Sequence, residues 1–182
     1  PPSPEEVAAF VSNPRANAFE QLVEKLLSSS AYGERWGQHW LDLARFAETD
    51  GFEHDKLRPD AWKYRDWVID VLNEDLPYDE FVLAQLAGDE SPNDNRVATG
   101  FLTCGPDMPD INLQAERRHS FLNDMTSTVS SVFLGLQLEC AQCHDHKFDP
   151  ISQKDFYRMR AFFDRAFDFT KNKTVALPSG NG

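Results

Sequence analysis

The sequence predicts an irregular all-α domain of six to eight helices. Three observations carry this. Apolar residues recur at helical spacing in segment after segment, and almost no stretch shows the period-two alternation of a half-buried strand. Two early segments open with a capping residue followed three positions later by Glu. Apolar residues make up 41% of the 182, with 14 Phe among them, so burial can offset the chain entropy that would otherwise leave it disordered.

The first helix starts at Ser3-Pro4-Glu5-Glu6, with Pro in the first turn, and carries Val7, Ala8, Phe10 and Val11 until Asn13-Pro14 interrupts it. Asn17 and Glu20 repeat the capping pattern, and Phe19, Leu22, Val23, Leu26 and Leu27 form one apolar stripe. A third helix is predicted from Tyr32 to Glu48, with Trp36, Trp40, Leu43 and Ala47 on its inner face and His39 beside it. Glu48 to Pro59 is acidic, contains Gly51 and His54, and reads as an exposed loop.

A fourth helix covers Asp60 to Asn73, and a fifth starts at Leu76-Pro77-Tyr78-Asp79-Glu80 and stops near Gly88. Ser91 to Asp110 is mostly loop, with a helical turn around Val97 to Leu102. Gln114 to Leu138 is helical again through Phe121, Met125, Thr128, Val129, Val132, Phe133 and Leu136. Ser152 caps a last helix with Phe156, Met159, Phe162, Phe163 and Phe167 facing inward. The domain is placed at residues 1–170, with 171–182 a C-terminal loop or linker.

Composition narrows the function. Thirty acidic against 18 basic residues give a net charge of −12, the wrong sign for a protein that grips nucleic-acid phosphates. No apolar run approaches the ~18 residues of a membrane-spanning helix, so no transmembrane segment is expected in this chain. The chain begins Pro1-Pro2 without Met and without a signal segment, so a mature form or an excised domain is expected. No Gly-rich phosphate loop, Ser nucleophile motif or His-Glu-x-x-His zinc motif occurs.

The strongest chemical signal is Cys140-Ala141-Gln142-Cys143-His144. Two thiols at this spacing can each form a thioether with one vinyl group of a single haem, and the following His then meets the iron from the same side. Other readings of the same residues stay open. A thioredoxin-type pair wants a strand before it, whereas the preceding segment is helical. Cys140, Cys143, His144 and His146 could close around zinc, although four ligands in so short a run is cramped. A plain disulfide or free thiols is the simplest alternative.

Longer runs carry a resemblance. Gly135 to Tyr157, Tyr32-Gly-Glu-Arg-Trp36, His39-Trp-Leu-Asp-Leu-Ala-Arg45, Trp62-Lys-Tyr-Arg-Asp-Trp-Val68, Leu76-Pro-Tyr-Asp-Glu-Phe81 and Gln85-Leu-Ala-Gly-Asp89 are similar to the planctomycete-type secreted cytochrome-like domain. The similarity runs from about Pro4 to Phe163. That family is catalogued mainly as a domain of unknown function and sits between a cytochrome c-like part and a second uncharacterised domain in large exported proteins. The resemblance implies a fragment, export to the periplasm or beyond, and one covalent haem c per chain. It supplies no reaction and no catalytic residues.

On this reading the haem-binding loop lies between the last two helices, and His144 is the proximal iron ligand. Its other ring nitrogen should donate to a fixed acceptor, and a carbonyl near Asp149-Pro150 is the expected one. His39 ranks first as the distal ligand, ahead of Met125, with His54, His119, His146, Met108 and Met159 also available and an open sixth position as an alternative. Arg45, Arg65, Arg117 and Trp62 are the candidate donors to the haem propionates; for the Arg residues, pairing with a nearby Asp or Glu is the ordinary alternative. The acidic groups Glu48, Asp50, Glu53 and Asp55, and Asp89, Glu90 and Asp94, read as solvated loops, Asp145 and Asp149 as caps of backbone amides, and Cys104 as a thiol without a role.

The expected function is electron transfer, with a redox partner protein or a neighbouring cytochrome domain. Two alternatives stand beside it: a haem enzyme or small-ligand sensor with an open distal site, and a non-haem helical scaffold with a disulfide or zinc at Cys140 and Cys143.

Overall fold

A computed structural model describes residues 1–51, 55–90, 95–106 and 113–164. His54, Glu53, Asp94, Met108, Phe167 and the expected C-terminal linker lie outside the described residues. The described residues form seven α-helices: α1 (Pro4–Val11), α2 (Ala18–Leu27), α3 (Ser30–Ala44), α4 (Ala61–Asn73), α5 (Tyr78–Ala87), α6 (Gln114–Val129) and α7 (Gln153–Phe163). Short 3-10 segments at Ala98–Thr103 and Leu138–Gln142 and a π turn at Ser130–Leu134 complete the set. An isolated bridge between Thr49 and Leu57 is the sole β pairing among the described residues. The all-α class is therefore correct.

Local signals set the helix starts. Ser3 and Glu6 form a reciprocal capping box on α1, and Ser152 and Asp155 form the same box on α7. The Ser152 hydroxyl and amide hold the Asp155 carboxyl below its usual range. The Asn17 pattern differs: Asn17 precedes α2, but its side chain makes no cap.

The third helix is shorter than its periodicity predicts. It ends at Ala44 because Arg45 takes up a left-handed conformation with φ 61°. Its inner face is also different. Trp36 is 53% and Leu43 54% exposed, and the buried positions are Gly33, Gly37 and Ala44, with Trp40 half-buried. The cause is close packing on α4. A Cβ on Gly33 would lie 2.4 Å from the Ile69 carbonyl oxygen, so this face admits no side chain there. Asn73 completes the contact, with its Oδ1 accepting from the Gly33 amide at 2.8 Å.

The helix predicted through Leu138 stops earlier. It passes through the π turn and ends where Gly135 adopts φ 65°, which glycine does without a Cβ penalty. On α7, Phe162 is 83% exposed rather than inward, while Phe156 and Phe163 are buried.

The main core joins α3, α4, α6 and the first 3-10 segment through Tyr64, Val68, Phe101, Phe121, Leu122 and Met125. Inside it, Trp40 Nε1 donates to Gln85 Oε1 at 2.8 Å and the Tyr64 hydroxyl donates to the same oxygen at 2.6 Å. Burial, with a smaller contribution from Cys104, pushes the Tyr64 hydroxyl well above the usual phenol range. A second, smaller core of Leu138, Ala141 and Phe156 lies under the segment that carries the cysteines, and Met159 packs against both.

The acidic loop after α3 is anchored rather than freely solvated. Asp50 accepts from Arg58 Nε at 2.7 Å, and Arg58 also donates to the carbonyls of Thr103, Cys104 and Gly105. Arg58 thus ties the loop to the end of the first 3-10 segment.

Candidate functional site

The 3-10 segment at Leu138–Gln142 explains how the motif cysteines are presented. Side chains three apart eclipse in this helix type, so Leu138 and Ala141 both point into the small core. Cys140 and Cys143 are then left exposed, and both thiols are free. Below them, the Gln142 carbonyl accepts from Gln153 Nε2 at 3.0 Å and from the Tyr157 hydroxyl at 3.2 Å, which fixes the segment to α7.

His144 follows with its ring exposed. Its Nδ1 lies 2.7 Å from the Asp145 carbonyl oxygen. A carbonyl only accepts, so Nδ1 carries the proton and Nε2 is the bare nitrogen. The acceptor is Asp145 rather than the carbonyl near Asp149-Pro150 that the sequence suggested. The Asp145 carboxylate meanwhile accepts from the Gln153 amide at 2.7 Å, capping the start of α7 as expected of it.

His146 organises the loop. Its Nδ1 accepts from the backbone amides of Phe148 at 3.3 Å and Asp149 at 2.9 Å, so its proton is on Nε2. Its own amide donates to the Ile151 carbonyl at 2.8 Å. Among the described residues no group of three or more His, Cys, Asp or Glu side chains is gathered in a way that could hold a metal ion, so the cramped four-ligand zinc arrangement is not preformed.

A polar cleft of about 640 Å³ opens beside Cys140. Its lining includes Arg45, His119, Asn123, Asp124, Glu139 and Cys140. Two site residues expected from the sequence, Arg45 and Cys140, are therefore brought together. Arg45 Nη1 donates to Asp124 Oδ1 at 2.6 Å. Gly105 lies directly behind this pair: a Cβ there would be 2.5 Å from Asp124 Oδ2 and 3.2 Å from Arg45 Nη2.

His119, named among the available distal ligands, lines the cleft as well, and the other expected residues do not. Arg65 donates to Asp66 at 2.9 Å and to Glu48, the ordinary local pairing. Trp62 is 46% exposed with Lys63 Nζ 6.0 Å from its ring centre. Arg117 is buried within α6. His39 is exposed on α3 with its ring 5.5 Å from that of Trp36. Met125 and Met159 belong to the core packing.

Sequence reasoning missed His119 as a cleft residue held at both ends, and it missed Asn123, Asp124 and Gly105 altogether. Their one sequence-level trace is spacing: His119 and Asn123 are four apart on α6, hence on one face.

Cys104 is buried, and its thiol donates to the Gly100 carbonyl at 3.2 Å. Burial pushes its pKa from the ordinary 9.0 up to about 12, against the opposing pull of Arg58 and Arg45. It is an inert structural thiol, unlike the exposed pair.

Fold and site together define an all-α domain that presents a Cys-x-x-Cys-His loop beside a polar cleft. The chain belongs to the family PSCyt2, described as a protein of unknown function (DUF1549), which matches residues 1–167. Neither the curated proteins nor the solved structures contain a match to it. Among the described residues no helix is long and apolar enough to cross a membrane.

Proposed function

We propose that the chain is a c-type haem protein that transfers electrons within a larger exported protein, receiving them from or passing them to a redox partner or a neighbouring cytochrome domain. Cys140 and Cys143 would hold the porphyrin through thioethers, and His144 would ligate its iron. The observation that carries this reading is the His144 ring, whose Nδ1–H is held by the Asp145 carbonyl while Nε2 is bare and exposed. A histidine that binds metal through one nitrogen and anchors the other on a carbonyl has this arrangement. Both cysteines are free and exposed, which suits attachment.

When bound, the haem supplies a one-electron couple whose potential is set by axial ligation and burial. The chain's own contribution is positional. The small core under Leu138 and Ala141 holds the cysteines outward, and the two amides on His146 hold the turn that follows.

The test is production of the chain with a c-type haem maturation system. Intact mass should rise by one haem, and the visible spectrum and pyridine haemochrome should be those of a two-thioether haem. A bare polypeptide mass and a colourless protein overturn the proposal. That result leaves the scaffold reading, with a disulfide or zinc at the two cysteines.

A second reading, a haem enzyme or small-ligand sensor, is favoured by one observation. Of the described residues first considered as distal ligands, His119 alone lines the cleft with Cys140, and both its ring nitrogens are already engaged. Rapid spectral change on adding carbon monoxide or cyanide supports the open site; no change supports the six-coordinate electron carrier.

A further inference from the structure

Helices α1 and α2 are amphipathic, yet their apolar faces are left open. A surface helix turns its apolar stripe toward the core of its own chain. Neither of these two helices buries a residue among the described residues. Val7, Phe10 and Val11 on α1 and Phe19, Leu26 and Leu27 on α2 are all exposed, from 39% at Phe10 to 77% at Val11. Leu22 and Val23, in the same stripe of α2, are half-buried.

The two stripes form one patch. Lys25 Nζ lies 3.1 Å from Glu6 Oε1, which ties the last turn of α2 to the first turn of α1, so the two helices run antiparallel. At about 100° per residue, each stripe is centred about a quarter to a third of a turn from its member of that ion pair, in the same rotational sense on both helices. The antiparallel direction then brings both stripes to the same side of the hairpin. The six exposed side chains leave on the order of 500 Å² of apolar surface uncovered, near the upper end of what a monomer carries.

We propose that this patch joins two copies of the chain. A standard interface takes about 800 Å² from each partner, and in homodimers about 65% of that is apolar, which is about 500 Å². The open face of the hairpin matches that area. A two-fold axis sets the same surface against itself, so each hairpin meets its own complement and four helices close around one apolar seam. The net charge of −12 opposes the approach of a second copy. The six patch residues carry no charge, and their burial drives the contact against that repulsion. The proposal does not rest on the haem reading.

The test is analytical sedimentation of the chain in reducing buffer, where Cys140 and Cys143 cannot link two copies. A monomer–dimer equilibrium with a Kd of about 1 µM or tighter is expected. Added salt should tighten it by screening the like charge. Val11→Lys and Leu26→Lys each place a cation in the last turn of a helix, where the helix dipole favours one. Each should weaken association at least about tenfold with an unchanged far-UV spectrum. Leu83→Lys alters an exposed leucine on α5, outside the hairpin, and should dimerise like the parent. Hydrogen exchange reads the same contact without a substitution: the amides of α1 and α2 should gain protection between dilute and concentrated samples. A chain that stays monomeric up to about 100 µM overturns the proposal and leaves the face to a different partner. A dimer that both hairpin variants leave intact overturns it too, as does one that Leu83→Lys weakens equally. Exchange in α1 and α2 that is independent of concentration has the same consequence.

Discussion

Arg45 reaches Asp124 from a left-handed backbone: its Nη1 donates to Oδ1 at 2.6 Å while its own φ is 61°. The two residues are 79 positions apart, on the end of α3 and the middle of α6. The pair ties the helix end to the cleft wall beside Cys140.

Because the backbone at Arg45 favours glycine, two substitutions should separate backbone from side chain. Arg45→Gly relieves about 1 kcal/mol of conformational cost and gives up a partly exposed ion pair worth about 0.2–1 kcal/mol. Its Tm should stay close to that of the parent. Arg45→Ala loses the pair and keeps the cost, and should be about 1 kcal/mol less stable than Arg45→Gly in chemical denaturation. An alanine variant as stable as the glycine one would show that the left-handed conformation is absent.

Gly105 is required by close approach. Alanine there meets Asp124 Oδ2 at 2.5 Å and should cost about 1–3 kcal/mol. The cost should be strongly reduced in the Gly105→Ala/Asp124→Ala double variant, since the obstructing oxygen is gone. A double-mutant cycle on urea denaturation reads this coupling directly. Strict additivity would place the effect elsewhere.

Cys104 gives the protein an alkaline limit. Its folded pKa, about 12, lies above the ordinary 9.0 because burial penalises the thiolate. The folded state therefore holds its proton more tightly than the unfolded chain. The resulting stability is fully present below pH 9.0 and is lost as pH rises toward about 12. The Cys104 share of the slope of unfolding free energy should reach at most about 1.4 kcal/mol per pH unit. Cys104→Ala should remove that share, leaving a decline from Tyr64 that begins near pH 10.0. Denaturation midpoints measured across pH 8 to 11 on both proteins provide the comparison, and identical profiles would contradict it.

The motif loop depends on Asp145. Its carboxylate caps the first amide of α7 at Gln153. Asp145→Ala should lower stability by about 0.5–1 kcal/mol through the lost cap. Asp145→Asn should recover most of it, because the amide oxygen still accepts. Thermal melts of the three proteins check the order.

Much of the fold was legible in the chain because its signals are local. Ser3 with Glu6 and Ser152 with Asp155 start helices through contacts within a single turn, and the structure has both boxes. The third helix was read too long and with the wrong face, because aromatic periodicity hid the role of Gly33 and Gly37. Only the position of Ile69 and Asn73 on the neighbouring helix makes those glycines the buried side. The Asn17 pattern failed for a similar reason: spacing permits a cap, and the actual geometry does not form one.

The sequence by itself determined the helical class, the major helix starts and the Cys140-Ala-Gln-Cys143-His144 run, since each depends on neighbours a few bonds away. The tertiary structure alone decided that Arg45, His119 and Asn123 would share a cleft with Cys140, and that Gly105 would sit behind Asp124. Those relationships join residues far apart in sequence. They arise from how rigid helices pack against one another, a long-range outcome that no local spacing encodes.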